Sequence, residues 1–389
     1  MIQKITYFEN LENFLSSSLS SHIDLNICFR QNKIGTKGLP VLCQSLSSCN
    51  NLQSLTLNLI QNKIGPQEAN ILGSAFVKCT NLSTLNLVLQ QNQIGSQGMS
   101  ILGPFLEKCK NLSTLTLDLQ QNKIGSQGTS SLGMALAQCP NIKCLTLDLF
   151  NNQIGDNGAQ SLGIALQNNI NLQILLLEVR QNQIGKQGSL SLGQALAQLT
   201  NLLTLTLDFS QNQIGPEGAQ AIGKGLAKCT KLQALILNLM QNQIGSQGAL
   251  DLGIGIASCI NLSIFKLDLF NNQIGEQGSM QISSALENLT KLQSLTLDFA
   301  QNQIGSQCVY ALTSAFAKCS SISNLSLNLY INNIESQSAL SLCSTIARIT
   351  KLSTLTLYLR KNQINQQIKL CLRNKLLKIK RLVFQFIVT

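Results

Sequence analysis

Between residues 52 and 79 the chain reads LQSLTLNLIQNKIGPQEANILGSAFVKC, and its apolar positions change period halfway along. Leu52, Leu55, Leu57 and Leu59 run into strict alternation, as in a strand that turns one face to a core. Ile60, Gln61 and Asn62 follow, with Ile64 two places on, and then come glycines and a stretch with helical spacing. The same plan returns along the whole chain. Asn stands at 32, 62, 92, 122, 152, 182, 212, 242, 272, 302, 332 and 362, a period of 30 held through twelve units. Such self-similarity predicts stacked strand–helix repeats, none of which can bury its apolar face alone. It leaves no room for a conventional domain boundary. The expected organisation is an N-terminal cap helix in 1–24, a repeat array over 25–359 and a basic cap repeat over 360–389. Phe8, Leu11 and Leu15 suggest the first cap. At the other end Asn365 and Ile368 replace the two glycines, and RLVFQFIVT reads as a thirteenth, closing strand.

The LxxLxL…NxI core resembles the leucine-rich repeat family. The IGxxGxxxLGxALA segment, with Leu132, Ala135 and Leu136 at helical spacing, resembles its ribonuclease-inhibitor-like class, which includes Ran GTPase-activating and NOD-type repeat proteins. The resemblance covers about nine-tenths of the chain. It implies an α/β leucine-rich repeat solenoid, a horseshoe of twelve 30-residue strand–helix units with a parallel sheet on the concave face and helices on the convex face. Units of that class usually run a little shorter. Here a dipeptide such as Asp118-Leu119 lengthens the strand, and two residues are one strand period, so inward positions stay inward.

In this reading Leu115, Leu117 and Leu119 stack on the core, each burial worth roughly 1.5–3 kcal/mol. Asn62, Asn92, Asn122, Asn152, Asn182, Asn212, Asn242, Asn272 and Asn302 form a structural ladder of inward amides. Gly125 and Gly128 serve the turn into the helix, and Gly133 close helix packing.

Asp118 lies between two core leucines and must face away from them, with Asp148, Glu178, Asp208, Asp268 and Asp298 at the equivalent place in other units. Parallel strands lie roughly 4.8 Å apart, so these acids line up as neighbours, and adjacent like charges oppose the fold. Twelve such strands present about 55 Å of sheet. A flanking slot is mostly Thr, with Lys266 placed to offset Asp268. The most variable slot holds Phe150, Arg180, Phe270 and Tyr330, residue types favoured as interface anchors. An acidic column with such a border suits a protein partner with a basic surface. Solubility of the sheet, or pairing of Arg180 with Glu178, explains the same residues without a partner.

Composition narrows the chemistry. The net charge is +11, yet Arg360 to Thr389 carries eight Lys/Arg and no acid, so the remainder, with 20 basic and 17 acidic residues, is close to neutral. The basic end, with Arg373, Lys375, Lys378, Lys380 and Arg381, leaves nucleic-acid or membrane contact as an alternative to a solvated face. Of thirteen Cys, seven (Cys49, Cys79, Cys109, Cys139, Cys229, Cys259, Cys319) share one slot with Asn169, Leu199, Leu289 and Ile349, which reads as small apolar packing. With no Cys-x-x-Cys and one histidine, His22, neither a zinc site nor His-based catalysis is expected. GAQAIGK (218–224) imitates part of a phosphate-binding loop, but Gly225 stands where Ser or Thr would hold magnesium. Repeats of this QNQIG style resemble those joined to protein kinases, although no kinase motif is present.

No signal peptide and no apolar run of about 18 residues is found. The expectation is a cytoplasmic, non-enzymatic scaffold without cofactor, metal or small-molecule substrate. The alternatives are an accessory that regulates an enzyme, as a GTPase activator or a ribonuclease inhibitor does.

Overall fold

The computed structural model describes the chain except residues 1–5, 32, 378, 380, 381 and 389, and leaves aside the side chains of 36, 377 and 384–387. The chain forms two compact units, Met1–Ile184 and Gly185–Thr389. In the first, strands β1 (Thr6–Phe8), β2 (Asp24–Cys28), β3 (Ser54–Asn58), β4 (Thr84–Val88), β5 (Thr114–Asp118), β6 (Cys144–Asp148) and β7 (Ile174–Glu178) lie side by side in chain order. Between them run helices α1 (Leu11–Leu15), α2 (Gly35–Leu46), α3 (Pro66–Phe76), α4 (Gly95–Leu106), α5 (Gly125–Ala137) and α6 (Gly155–Gln167).

The second unit repeats the plan with helices α7 (Lys186–Gln198), α8 (Gly215–Leu226), α9 (Gly245–Ile256), α10 (Gly275–Ala285), α11 (Ser306–Lys318), α12 (Ser336–Ile346) and α13 (Gln366–Leu377). Its strands are β8 (Thr204–Asp208), β9 (Ala234–Asn238), β10 (Ile264–Asp268), β11 (Ser294–Asp298), β12 (Asn324–Asn328), β13 (Thr354–Tyr358) and β14 (Phe384–Val388).

Pairing is parallel, and the repeat period sets its register: Leu115 faces Leu145, Leu145 faces Leu175, and Leu235 faces Phe265, which takes the leucine slot of its own repeat. Five-residue strands are too short to persist alone. They hold because every second side chain, such as Leu115, Leu117 and Leu119, is excluded from water against the same slot of the next repeat.

Two glycines of a repeat do different work. Gly125 opens α5 at φ +65°, a backbone setting that a side chain resists. Gly128, expected to serve the turn, instead serves packing: a Cβ there would stand 2.7 Å from Ile124 Cγ2 and 3.0 Å from Ser96 Cα. At Gly133 a Cβ would meet the Ser161 carbonyl oxygen at 2.9 Å, so α5 and α6 approach more closely than alanine permits.

The turn after each strand is held by its asparagine. Asn122 is fully buried, and its Nδ2 donates to the Leu89 carbonyl at 2.9 Å and to the Leu119 carbonyl at 3.1 Å. Its own N–H donates to Asn152 Oδ1 at 3.0 Å, so side chain and backbone of successive repeats interlock. Asn62, Asn92, Asn152 and Asn182 make equivalent bonds to carbonyls of the preceding repeat, as do Asn242, Asn272 and Asn302 in the second unit. Asn212 is likewise buried, with Nδ2 2.8 Å from the Phe209 carbonyl. Asn32 lies outside the described residues. The sequence pattern did not reveal that Gln121 (φ 53°) and Lys123 (φ 55°), on either side of Asn122, are left-handed. That setting costs roughly 1–2 kcal/mol for each non-glycine residue, and the asparagine bonds offset it.

At the ends, α1 is anchored through buried Phe14, whereas Leu15 is 37% exposed and Phe8 belongs to strand β1, not to the helix. Asn365 Oδ1 accepts the Ile368 N–H at 2.9 Å and so caps α13.

Replacing Asn242 by Ala strands the buried Ile214 N–H and removes one of the two amide donors from each of the Phe209 and Leu239 carbonyls, which keep Asn212 and Asn272. The expected cost is about 3 kcal/mol, from one buried group left unpaired at about 1–3 kcal/mol and two lost hydrogen bonds at about 1 kcal/mol each. Urea denaturation followed by circular dichroism measures it, and a midpoint equal to that of the parent would refute this account of the ladder.

Candidate functional site

Residues between the core leucines emerge on the open face of the sheet, where they form files. In the first unit Asn58, Val88, Asp118, Asp148 and Glu178 stand in direct register. In the second, Asp208, Asn238, Asp268, Asp298, Asn328 and Tyr358 do so. All are half-buried.

The hydrogen bonds explain why this slot alternates between Asp and Asn. In each case Oδ1 accepts the backbone N–H two residues on: Gln120 to Asp118 at 3.2 Å, Phe150 to Asp148 at 3.0 Å, Ser210 to Asp208 at 2.8 Å. Asp268 and Asp298 accept from Phe270 and Ala300, and Asn58, Asn238 and Asn328 accept in the same way. An Asx side chain of either kind closes the strand end. Side-chain amides then bridge the file. Gln120 Nε2 donates to Asp148 Oδ2 at 2.6 Å, Asn238 Nδ2 to Asp208 Oδ2 at 3.1 Å, and Asn328 Nδ2 to Asp298 Oδ2 at 2.8 Å.

The geometry needs an oxygen at this place, not a charge, and the charge has a cost. Burial pushes the Asp148 carboxyl up to about 7 against the lowering pull of the Phe150 N–H, and the charges of Glu178 and Asp118 add to the rise. Burial likewise lifts Asp268 to about 6; Asp298 and Asp208 push the same way, while the Phe270 N–H and Lys266 oppose it. Asp118 and Asp298 are raised too, again chiefly by burial. Lys266 therefore offsets Asp268 only in part.

Along the variable slot the side chains are less open than their types suggested. Phe150, Phe270 and Tyr330 are half-buried, and Ile60, Ser210 and Ala300 are buried. Arg180 is exposed, and its guanidinium lies 4.0 Å above the Phe150 ring rather than in an ion pair with Glu178. Lys361 approaches the Tyr330 ring at 5.5 Å. The first unit thus brings Asp118, Asp148, Glu178, Phe150 and Arg180 onto one patch, and the second brings Asp208, Asp268, Asp298, Phe270 and Tyr330 onto another. Ile174 (39% exposed) and Ile264 (46% exposed), at the strand starts, extend these patches and were not singled out in the sequence.

The cysteine slot is not simply apolar. Cys139 Sγ donates to the Leu106 carbonyl at 3.4 Å and Cys229 to the Leu196 carbonyl at 3.3 Å, a reach of thirty-three residues. Asn169, in the same slot, sends its Nδ2 to the Leu136 carbonyl at 3.2 Å. Burial lifts the Cys229 and Cys259 thiols to about 12, which makes poor nucleophiles of them. Among the described residues no group of His, Cys, Asp and Glu is arranged to hold a metal, and no helix is long and apolar enough to cross a membrane. His22 contacts Phe8 and Phe14 and bonds Ser17 Oγ at 2.8 Å. Residues 218–224 lie inside α8, with Lys224 in its last turn, whereas a phosphate loop would place the lysine where a helix begins. Arg373 and Lys375 are exposed on α13; Lys378, Lys380 and Arg381 lie outside the described residues.

Two measurements test these assignments. Iodoacetamide on the folded chain is expected to modify exposed Cys371 first and to reach Cys229 and Cys259 only after urea; early labelling of either, read by mass spectrometry, would contradict the burial. A carboxyl raised in the folded state binds more protons there than in the unfolded chain. Its contribution is fully present below about 4 and is lost as pH rises through the folded value, near 7 for Asp148. Asp148→Asn keeps the acceptor for Phe150, so the variant should melt above the parent at pH 8 and lose that advantage by pH 4. A parent that gains stability relative to the variant as pH rises would reverse the assignment.

A model described as Leucine Rich repeat matches residues 111–133, 141–163, 201–223 and 228–253. No curated protein matches the chain. Among solved structures the chain is similar to one of the Rad7 and Elc1 complex in yeast, at 14% identity and a TM-score of 0.47, over 89% of this chain and 79% of that one. It is also similar to a TLR13–ssRNA13 complex, at 17% identity and a TM-score of 0.34, over 97% of this chain and 63% of that one. Leucine-rich repeats are thus found in both units, and the architecture is that of an α/β leucine-rich repeat solenoid.

Proposed function

We propose that the protein is a non-enzymatic, cytoplasmic scaffold whose open sheet face binds a protein partner with a basic surface. The α-helix after each strand supports placing its repeats in the ribonuclease-inhibitor-like class, with residues 1–24 and 360–389 as caps. One observation carries the reading. The Asx bond is satisfied by Asn as well as by Asp, yet five of these slots hold Asp, and burial raises the carboxyls of Asp118, Asp148, Asp268 and Asp298. A cation from a partner, brought against Asp148 or Asp268, would stabilise the charged form and recover that cost. Phe150 with Arg180, and Phe270 with Tyr330, supply apolar and planar surface beside the acids, the residue types that anchor interfaces.

Asp118→Asn/Asp148→Asn and Asp268→Asn/Asp298→Asn remove charge and keep the oxygen that closes each strand. Affinity purification with quantitative mass spectrometry should show a partner recovered on the parent and reduced at least tenfold on one of these variants. Recovery should also rise from pH 5 to pH 8, as Asp268 and Asp148 ionise through about 6 and about 7. Equal recovery on parent and both variants would remove the carboxylates from the function.

A further inference from the structure

At the starting edge of the second unit's strands lies a cavity of about 740 Å³, away from the carboxylate file at the other end of the strands. Lys231, Gln233, Asn261, Lys291, Gln293 and Ser321 are among its lining residues, and none of those lining it is acidic. The two lysines depart from the repeat's own solution at their position. There Asn51, Asn81, Asn111, Asn141, Asn171 and Asn261 each send Nδ2 to a carbonyl thirty-one residues earlier, at 2.9–3.2 Å. Lysine forfeits that bond, worth about 1 kcal/mol. Instead Lys231 Nζ donates to Asn201 Oδ1 at 2.8 Å and Lys291 Nζ to Asn261 Oδ1 at 2.6 Å. Those acceptors are neutral, and among the described residues neither lysine makes an ion pair. The acids on neighbouring helices are engaged elsewhere: Glu287 holds Lys318 and Ser314, and Asp251 accepts from Gln220 and Gln247.

The geometry points to a second binding site, of opposite sign to the first, for an acidic peptide segment of a partner protein. An ammonium carries three N–H donors, and each of these lysines gives one to an amide, which leaves two for a ligand. Gln233 and Gln293 line the same cavity and carry amide groups that can donate as well. Lys231 and Lys291 are two repeats apart, roughly 10 Å at the usual strand spacing. An extended peptide rises about 3.3 Å per residue and alternates its side chains, so two carboxylates four residues apart share one face at about 13 Å, within reach of both long lysine side chains. Among the described residues no aromatic side chain lines the cavity to stack a base, which favours a peptide over a single-stranded nucleic acid. The cavity's size falls within the roughly 300–1,000 Å³ of ordinary ligand clefts.

Fluorescence polarisation on the full chain tests this with a labelled peptide carrying two glutamates four positions apart in a glycine–serine background. The matched peptide with glutamines is the control. The acidic peptide should bind at least tenfold more tightly than the control, and Lys231→Gln/Lys291→Gln should cut its affinity at least tenfold. Asp268→Asn/Asp298→Asn should leave it within twofold. A thermal melt of the lysine variant within a degree or two of the parent shows that the loss is not one of folding; Lys231→Arg/Lys291→Arg, which keeps the charge, should retain most of the binding. Equal affinity for the two peptides, or binding indifferent to the lysines, overturns the proposal. So does tighter, lysine-dependent binding of a single-stranded oligonucleotide of equal charge.

Discussion

In the repeats from Asn62 to Asn182 and from Asn242 to Asn332, the amide of the buried asparagine reaches a carbonyl group thirty-three residues back and, with its oxygen, takes up a backbone N–H of the preceding turn. The rest of the architecture leans on this contact. It needs a donor and an acceptor on one short side chain: Asp lacks the donor, and Leu lacks both. It also fixes a chain reversal whose flanking residues, such as Gln121 and Lys123, sit in a backbone region they would not choose. Once that reversal is held, five-residue strands fall into register thirty residues apart, and the leucines between them meet their own counterparts.

The same register turns a local residue choice into a surface. An Asp or Asn at a strand's end accepts a hydrogen bond from two residues on, a purely local matter. Stacking places these groups side by side, so their charges are felt together and in partial burial. Local chemistry therefore accounts for the oxygen, and the charge is what remains for a partner to explain. The opposite edge of the second unit shows the converse: lysines replace asparagines that would have joined repeats, and gather positive charge around a cavity.

Much of this was legible in the chain. The alternation of Leu115, Leu117 and Leu119, the placement of Asn122 and the outward direction of Asp118 all follow from periods of two and thirty, because a strand's side-chain alternation leaves no freedom. Other roles were not. Gly128 looks like a turn glycine and is a packing glycine, since what a Cβ would strike, Ser96 of the preceding repeat, is remote in sequence. The slot shared by Cys139 and Asn169 looks apolar because leucine also occupies it, and only the carbonyl at Leu106 or Leu136 reveals a donor's place. At the N-terminus, spacing suggested Leu15 as an anchor, whereas Phe14 fills the core.

The sequence by itself determined the repeat, its period, the strand–helix alternation and which residues share a file, because each is a consequence of spacing along the chain. Tertiary structure decided the energetic meaning of those files. The raised carboxyl of Asp148, the stacking of Arg180 on Phe150 and the bonding of Lys231 and Lys291 to neutral amides depend on the distance to groups thirty or more residues away and on how much water reaches them. Burial and through-space charge are properties of neighbours, and the neighbours exist only once the repeats have stacked.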